Sequence, residues 1–150
     1  MQVHHIGVQT ADIDATLEWY SQFFNGGKEN WALDSFSKLT LSRLPGISRL
    51  VEFQIEGVRF HFYDREGINQ DRRVPGPEFQ HCGLAVESAA ELLRYRERWF
   101  ELARSGRFKA PHWSDPSDVV FDEDGVGSLY VEDINGLEIE LTYIPDDAAR

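Results

Sequence analysis

His5 and His81 stand 76 residues apart, and His61 and Glu140 stand 79 apart, each pair inside matching stretches of the chain. His5-Ile6-Gly7-Val8 returns as His81-Cys82-Gly83-Leu84. Gly57-Val58-Arg59-Phe60-His61-Phe62 returns as Gly136-Leu137-Glu138-Ile139-Glu140-Leu141. Imidazole nitrogens and carboxylate oxygens are good ligands for divalent transition metals. Internal duplication gives a reason for such residues to fall at equivalent places and to converge. A divalent metal centre built from His5, His61, His81 and Glu140 is therefore the first chemical expectation.

The elements that must carry these residues can be read from hydrophobic period and turn residues. Val3–Gln9 reads as a strand. Thr10-Ala11-Asp12 then offers capping groups to a helix with Ile13, Leu17, Tyr20, Phe23 and Phe24 on one stripe, ended by Asn25-Gly26-Gly27. Strands are predicted around Lys38–Leu44, Leu50–Ile55 and Val58–Tyr63, with turns at Pro45-Gly46 and Glu56-Gly57. Asp64–Pro77, polar and carrying Arg72-Arg73, reads as a surface linker.

The order then repeats. A strand at Phe79–Val86 precedes a helix from Ala89 to about Ala103 carrying Leu92, Leu93, Tyr95, Trp99 and Phe100. Strands follow at Val119–Asp122, Ser128–Glu132 and Leu137–Tyr143. Between helix and strands lies the long loop Ser105–Asp118, which holds His112 and Trp113; loops of that length are often functional. The acidic tail after Pro145 should fray.

Side chains alternate across a strand. Ile139, Leu141 and Tyr143 share one face of the last strand, and Glu138, Glu140 and Thr142 the other. Phe60 and Phe62 likewise oppose Arg59, His61 and Tyr63. With the apolar faces under the helices, His61 and Glu140 lie on the open polar faces. His5 and His81 point the same way, each followed two residues later by a glycine that leaves room beside it. A pseudo-twofold axis, within one chain or across a dimer, would bring the four together.

Bulk properties narrow the partners. The 150-residue chain suits one sizeable core or two half-cores, and 41% apolar with 27% charged residues is ordinary for a globular protein. A formal charge of −11 without a basic cluster argues against nucleic acid and against anionic membranes. No apolar run reaches the roughly 20 residues that span a bilayer, and no signal peptide is evident. With Cys82 as its one cysteine the chain forms no internal disulfide, and a cytoplasmic setting is expected.

His4-His5-Ile6-Gly7-Val8 with Trp19-Tyr20, then His81-Cys82-Gly83-Leu84-Ala85-Val86, then Asp133-Ile134-Asn135-Gly136-Leu137-Glu138-Ile139-Glu140-Leu141 together resemble the vicinal oxygen chelate superfamily. That superfamily includes glyoxalase I, methylmalonyl-CoA epimerase, extradiol dioxygenases, and fosfomycin-resistance and bleomycin-binding proteins. The last motif is similar to the family's Asp-Pro-Asp-Gly-x-x-x-Glu-Leu ending, with Ile134 in place of proline.

The resemblance implies an α+β fold, two βαβββ modules forming a cupped mixed sheet with helices on the outer face. It implies one glyoxalase-like domain over 1–150, made of repeats at about 1–64 and 78–145, and a homodimer. It also implies that His5, His81 and Glu140 take the shared metal-ligand positions. His61 takes the fourth, where glyoxalase I has a carboxylate and the epimerase an amide. The extradiol and fosfomycin branches generally do not use that position, so a histidine departs from each of these patterns and leaves the reaction class open.

One divalent ion (nickel, zinc, cobalt, manganese or iron) is expected, with open positions for a small substrate that chelates through adjacent oxygens. The leading expectation is a lyase or isomerase of the glyoxalase/epimerase kind. The alternatives are an iron-dependent extradiol-type dioxygenase with His61 outside the ligand set, and a non-catalytic antibiotic-binding resistance protein.

Glu138 and Arg59 share the polar faces with the ligands. They could pair with each other or serve as proton carrier and anion clamp; Tyr63 and Thr142 are weaker candidates. His4 should face the helix as a structural residue, and His112 is a candidate loop acid or base. Cys82 reads as an inert buried thiol, and Trp19, Tyr20, Trp99 and Phe100 as core.

Overall fold

The computed structural model describes residues 3–66, 81–109 and 114–146. The chain divides into two compact units, Met1–Arg73 and Val74–Arg150. Each unit contains a four-stranded mixed sheet with a helix on one face, so the chain is α+β with the expected βαβββ order in both halves.

The first unit runs β1 (Ile6–Thr10), α1 (Ile13–Phe23), β2 (Lys28–Leu33), α2 (Lys38–Arg43), β3 (Ile47–Ile55) and β4 (Val58–Arg65). Its sheet order is β1-β4-β3-β2, with β1 parallel to β4 and the other pairs antiparallel. A parallel pair needs a crossover connection, and α1 begins it. Asp12 caps α1 by accepting from the Ala15 N–H at 2.9 Å, and the hydroxyls of Thr10 and Thr16 bond at 2.8 Å.

The apolar stripe of α1 is then laid on the sheet. Tyr20 meets the rings of Phe60 and Phe62 at 5.0 and 4.7 Å, and Trp19, Tyr20, Phe23, Phe60 and Phe62 are fully buried. Burying each such side chain stabilises the fold by about 1.5–3 kcal/mol. Gly27, at φ +113°, cannot be replaced cheaply, because a Cβ there would lie 2.5 Å from Phe53.

Two expectations for this unit need correction. Lys38–Leu44 is not a strand. Leu39 and Leu41 alternate as a strand would, but the Ser37 hydroxyl accepts from the Thr40 N–H at 3.1 Å and caps a short helix, leaving both leucines exposed. The real second strand is β2, whose six residues are all exposed. Having no buried face, it carries no alternation to read, and only its pairing with β3 defines it. In addition, β1 starts at Ile6 rather than Val3, which matters for His4 below.

The second unit runs β5 (Cys82–Val86), α3 (Ala89–Arg104), β6 (Val120–Phe121), β7 (Gly127–Glu132) and β8 (Glu138–Tyr143), with sheet order β5-β8-β7-β6. Leu92, Trp99 and Leu102 of α3 are buried, as are Leu129, Val131, Ile139 and Leu141 of the sheet, and the Trp99 indole N–H donates to the Glu132 carbonyl at 2.8 Å.

The turn after β7 is set by Asp133, fully buried. Its Oδ1 accepts from the N–H groups of Asn135 and Leu137 at 2.7 and 2.8 Å, and Gly136 takes φ +80°. That carboxylate holds the turn that leads into β8, the strand that carries Glu140. His112, Trp113, Arg72 and Arg73 lie outside the described residues. Among the described residues no helix is long and apolar enough to cross a membrane.

Candidate metal centre

In the first unit the face away from α1 carries His61, flanked across the sheet by Gly7 of β1 and Glu52 of β3 as Cα partners. His61 is 7% exposed and Glu52 only 4%. His61 Nε2 lies 2.9 Å from Glu52 Oε2, and the other Glu52 oxygen accepts from the Asn30 amide at 2.9 Å. Asn30 is the extra residue of a β-bulge in β2 between Glu29 and Trp31, and bulges re-aim side chains in this way. The two hydrogen bonds, Asn30 first and His61 second, hold the Glu52 carboxyl below its ordinary range.

His5, just before β1, stacks flat on His61 with ring centroids 3.6 Å apart at 7°. Burial, then the neighbouring His61 and His4, push the His5 pKa down, which favours the neutral ring a metal requires. The space beside His5 is not open, however: a Cβ on Gly7 would sit 3.2 Å from the Tyr63 ring.

His4 departs from expectation. Because the pleat begins only at Ile6, His4 is not committed to the helix side. Its Nδ1 lies 3.0 Å from that of His5, and one ring nitrogen each of His4, His5 and His61 fall within 4.8 Å of one another. Arg59, exposed, places Nη1 3.5 Å from His4 Nε2.

In the second unit the corresponding face carries Glu140, with Gly83 of β5 and Tyr130 of β7 as its Cα partners. His81 Nε2 lies 3.0 Å from Glu140 Oε2. Ser128 and Tyr130 hydroxyls both donate to Oε1, each at 3.0 Å, and this bond is the first cause raising the Tyr130 pKa. Glu138 Oε1 is 3.7 Å from His81 Nδ1.

Bonds of about 2.1 Å from a divalent ion to nitrogen and oxygen require adjacent donors about 3 Å apart. The His81–Glu140 pair has that spacing, with the donor chemistry that suits a transition metal. This pair of donors fits a divalent ion.

Within the units, then, the fold joins His5 to His61 and His81 to Glu140, and sets Arg59 and Glu138 on the same polar faces. Cys82 is buried on the other side, and burial raises its thiol pKa. The sequence reading missed Glu52, Asn30, Ser128 and Tyr130. Glu52 did leave a signal, a carboxylate on the strand between apolar neighbours Val51 and Phe53.

No protein-family model and no curated protein matches the chain. Solved structures do. The glyoxylase/bleomycin resistance protein/dioxygenase domain from Frankia sp. EAN1pec aligns over 98% of this chain and 94% of that one, with TM-score 0.65 and 18% identity. The chain shares the fold of this glyoxalase-like domain. The fosfomycin resistance protein FosX from Listeria monocytogenes, complexed with Mn(II) and sulfate ion, aligns over 98% and 95% at TM-score 0.61 and 18% identity. Lactoylglutathione lyase from Agrobacterium tumefaciens aligns over 95% and 92% at TM-score 0.53 and 19% identity. These structural neighbours thus include a lyase and a protein crystallised with Mn(II).

Proposed function

We propose that this protein is a metal-dependent lyase or isomerase of the glyoxalase/epimerase kind. Its substrate is a small molecule that chelates a divalent ion through adjacent oxygens, and the candidate protein donors are His5 and His61 in the first unit and His81 and Glu140 in the second. The observation that carries the reading is the His81 Nε2 to Glu140 Oε2 spacing of 3.0 Å, with Oε1 of the same carboxylate already held by two hydroxyls. The likeness to FosX, crystallised with Mn(II), supports a metal, and the likeness to a lactoylglutathione lyase supports an enzyme.

When bound, the ion supplies Lewis-acid polarisation of the substrate oxygens. This chain's residues do the rest. Ser128 and Tyr130 orient Glu140. Glu138 carries a proton between substrate carbon and solvent, a role supported by its exposure and its 3.7 Å approach to His81 Nδ1. Arg59 holds an anionic group of the substrate, a role supported by its exposed guanidinium beside His4.

Elemental analysis after expression in metal-supplemented medium tests the reading, together with titration of the stripped protein. About one divalent ion per chain is expected. Absence of metal, with no uptake on titration, removes it.

A further inference from the structure

Glu52 is a carboxylate almost wholly withdrawn from solvent, and burying a charge is costly unless its oxygens are paired. Both are: Oε1 by the Asn30 amide, Oε2 by His61 Nε2, each at 2.9 Å. Asn30 reaches Glu52 because the β2 bulge inserts it as an unpaired extra residue, and its amide also bonds Gln54 Oε1 at 3.0 Å. The carboxylate is therefore clamped from one side and aimed at one nitrogen of one imidazole on the adjacent strand. A carboxylate can only accept, so the ring nitrogen facing it must carry the proton. In a neutral ring the other nitrogen then has the free lone pair.

We propose that Glu52 is a positioning residue: held by Asn30, it fixes His61 as the tautomer protonated at Nε2, so that His61 offers Nδ1 as its donor atom. This rests on the reading of His61 as a ligand. It goes further by naming the ligating atom and the residues that select it. The Trp31 ring, edge-on to His61 with centroids 5.1 Å apart, and the flat His5 ring close the imidazole on its flanks, so a 180° ring turn is opposed by packing as well as by Glu52. Carboxylates that orient a ligating histidine through its second nitrogen typically change metal affinity by about 10–100-fold when removed.

The test begins with the metal-free full chain, where long-range ¹H–¹⁵N correlation spectra report which nitrogen of His61 is protonated. Wild type should show Nε2 protonated and Nδ1 bare. Glu52→Ala should show the two forms averaging, and its affinity for zinc should fall about 10–100-fold. Glu52→Gln, isosteric but with a donating NH2 in place of one of the two accepting oxygens, should weaken the wild-type preference for the Nε2-protonated form and covers the case in which the alanine variant fails to fold. An Nδ1-protonated His61 in wild type overturns the inference, as does a Glu52→Ala protein with unchanged pattern and unchanged zinc affinity. If the tautomer depends on Glu52 but zinc does not bind at all, Glu52 still positions His61 and the proposed function is what fails.

Discussion

His81 Nε2 and Glu140 Oε2 face each other at 3.0 Å across two parallel strands, and the second Glu140 oxygen is turned away to meet Ser128 and Tyr130. One carboxylate is thereby divided into an anchored oxygen and an offered one. The first unit has a counterpart at the same register: Glu52 of β3 partners His61 of β4 as Tyr130 of β7 partners Glu140 of β8. In both units a residue one strand inward holds the residue at the candidate ligand position.

That arrangement predicts the effect of removing the anchors. Tyr130→Phe or Ser128→Ala should each leave the fold intact and weaken metal affinity by about tenfold, with the double variant weaker still, since both act on one oxygen. Isothermal titration of metal into the stripped proteins measures this. Equal affinities across the set would reduce the two hydroxyls to bystanders.

The status of His61 is read from a comparison of variants. If it is a ligand, His61→Ala should lower metal affinity as much as His81→Ala does, while circular dichroism stays native-like. Full metal retention with lost turnover would place His61 among the acid–base groups instead.

Stability of the metal-free protein should respond to pH in two separate windows. The His5 pKa lies below the ordinary 6.5 because of burial and its histidine neighbours. Between 6.5 and the folded value the unfolded chain binds the extra proton, so stability is full above 6.5 and declines as pH falls through that interval. The Glu52 pKa lies below its ordinary 4.5, so its contribution is present above 4.5 and is lost only at lower pH. Urea midpoints at pH 7.5, 5.5 and 3.5 separate the two. His5→Gln should flatten the upper step alone, and a slope unaffected by that change would contradict the assignment.

Much of this was legible because duplication and alternation are strong signals. The period-two pattern of Phe60-His61-Phe62 and Ile139-Glu140-Leu141 assigned both candidate ligand positions to the face away from the helices, and the structure keeps them there. What escaped was whatever alternation does not encode. β2 is exposed along its whole length, so nothing in Lys28–Leu33 marks a strand, and the bulge that aims Asn30 exists only through pairing with β3. Lys38–Leu44 alternates falsely, because local capping by Ser37 decides its conformation. His4 was misplaced by extending the β1 pleat three residues too far.

The reaction class can be decided by counting coordination positions. Six octahedral positions less four protein ligands leave two, both filled by a bidentate substrate, with none for dioxygen. Three protein ligands leave three, enough for both. The His61–Glu52 bond at 2.9 Å is compatible with a ligating His61, because it occupies only one of the ring's two nitrogens. Four ligands predict chemistry that moves a proton without net oxidation: solvent deuterium should enter the substrate at the carbon beside its chelating carbonyl, at equal rates with and without oxygen. Glu138→Gln, next to His81 and exposed, should slow that exchange by about 10²–10⁴-fold while leaving metal content unchanged. Stoichiometric oxygen uptake by the iron-loaded protein with a catechol, and no catechol turnover under anaerobic conditions, would instead support the dioxygenase reading.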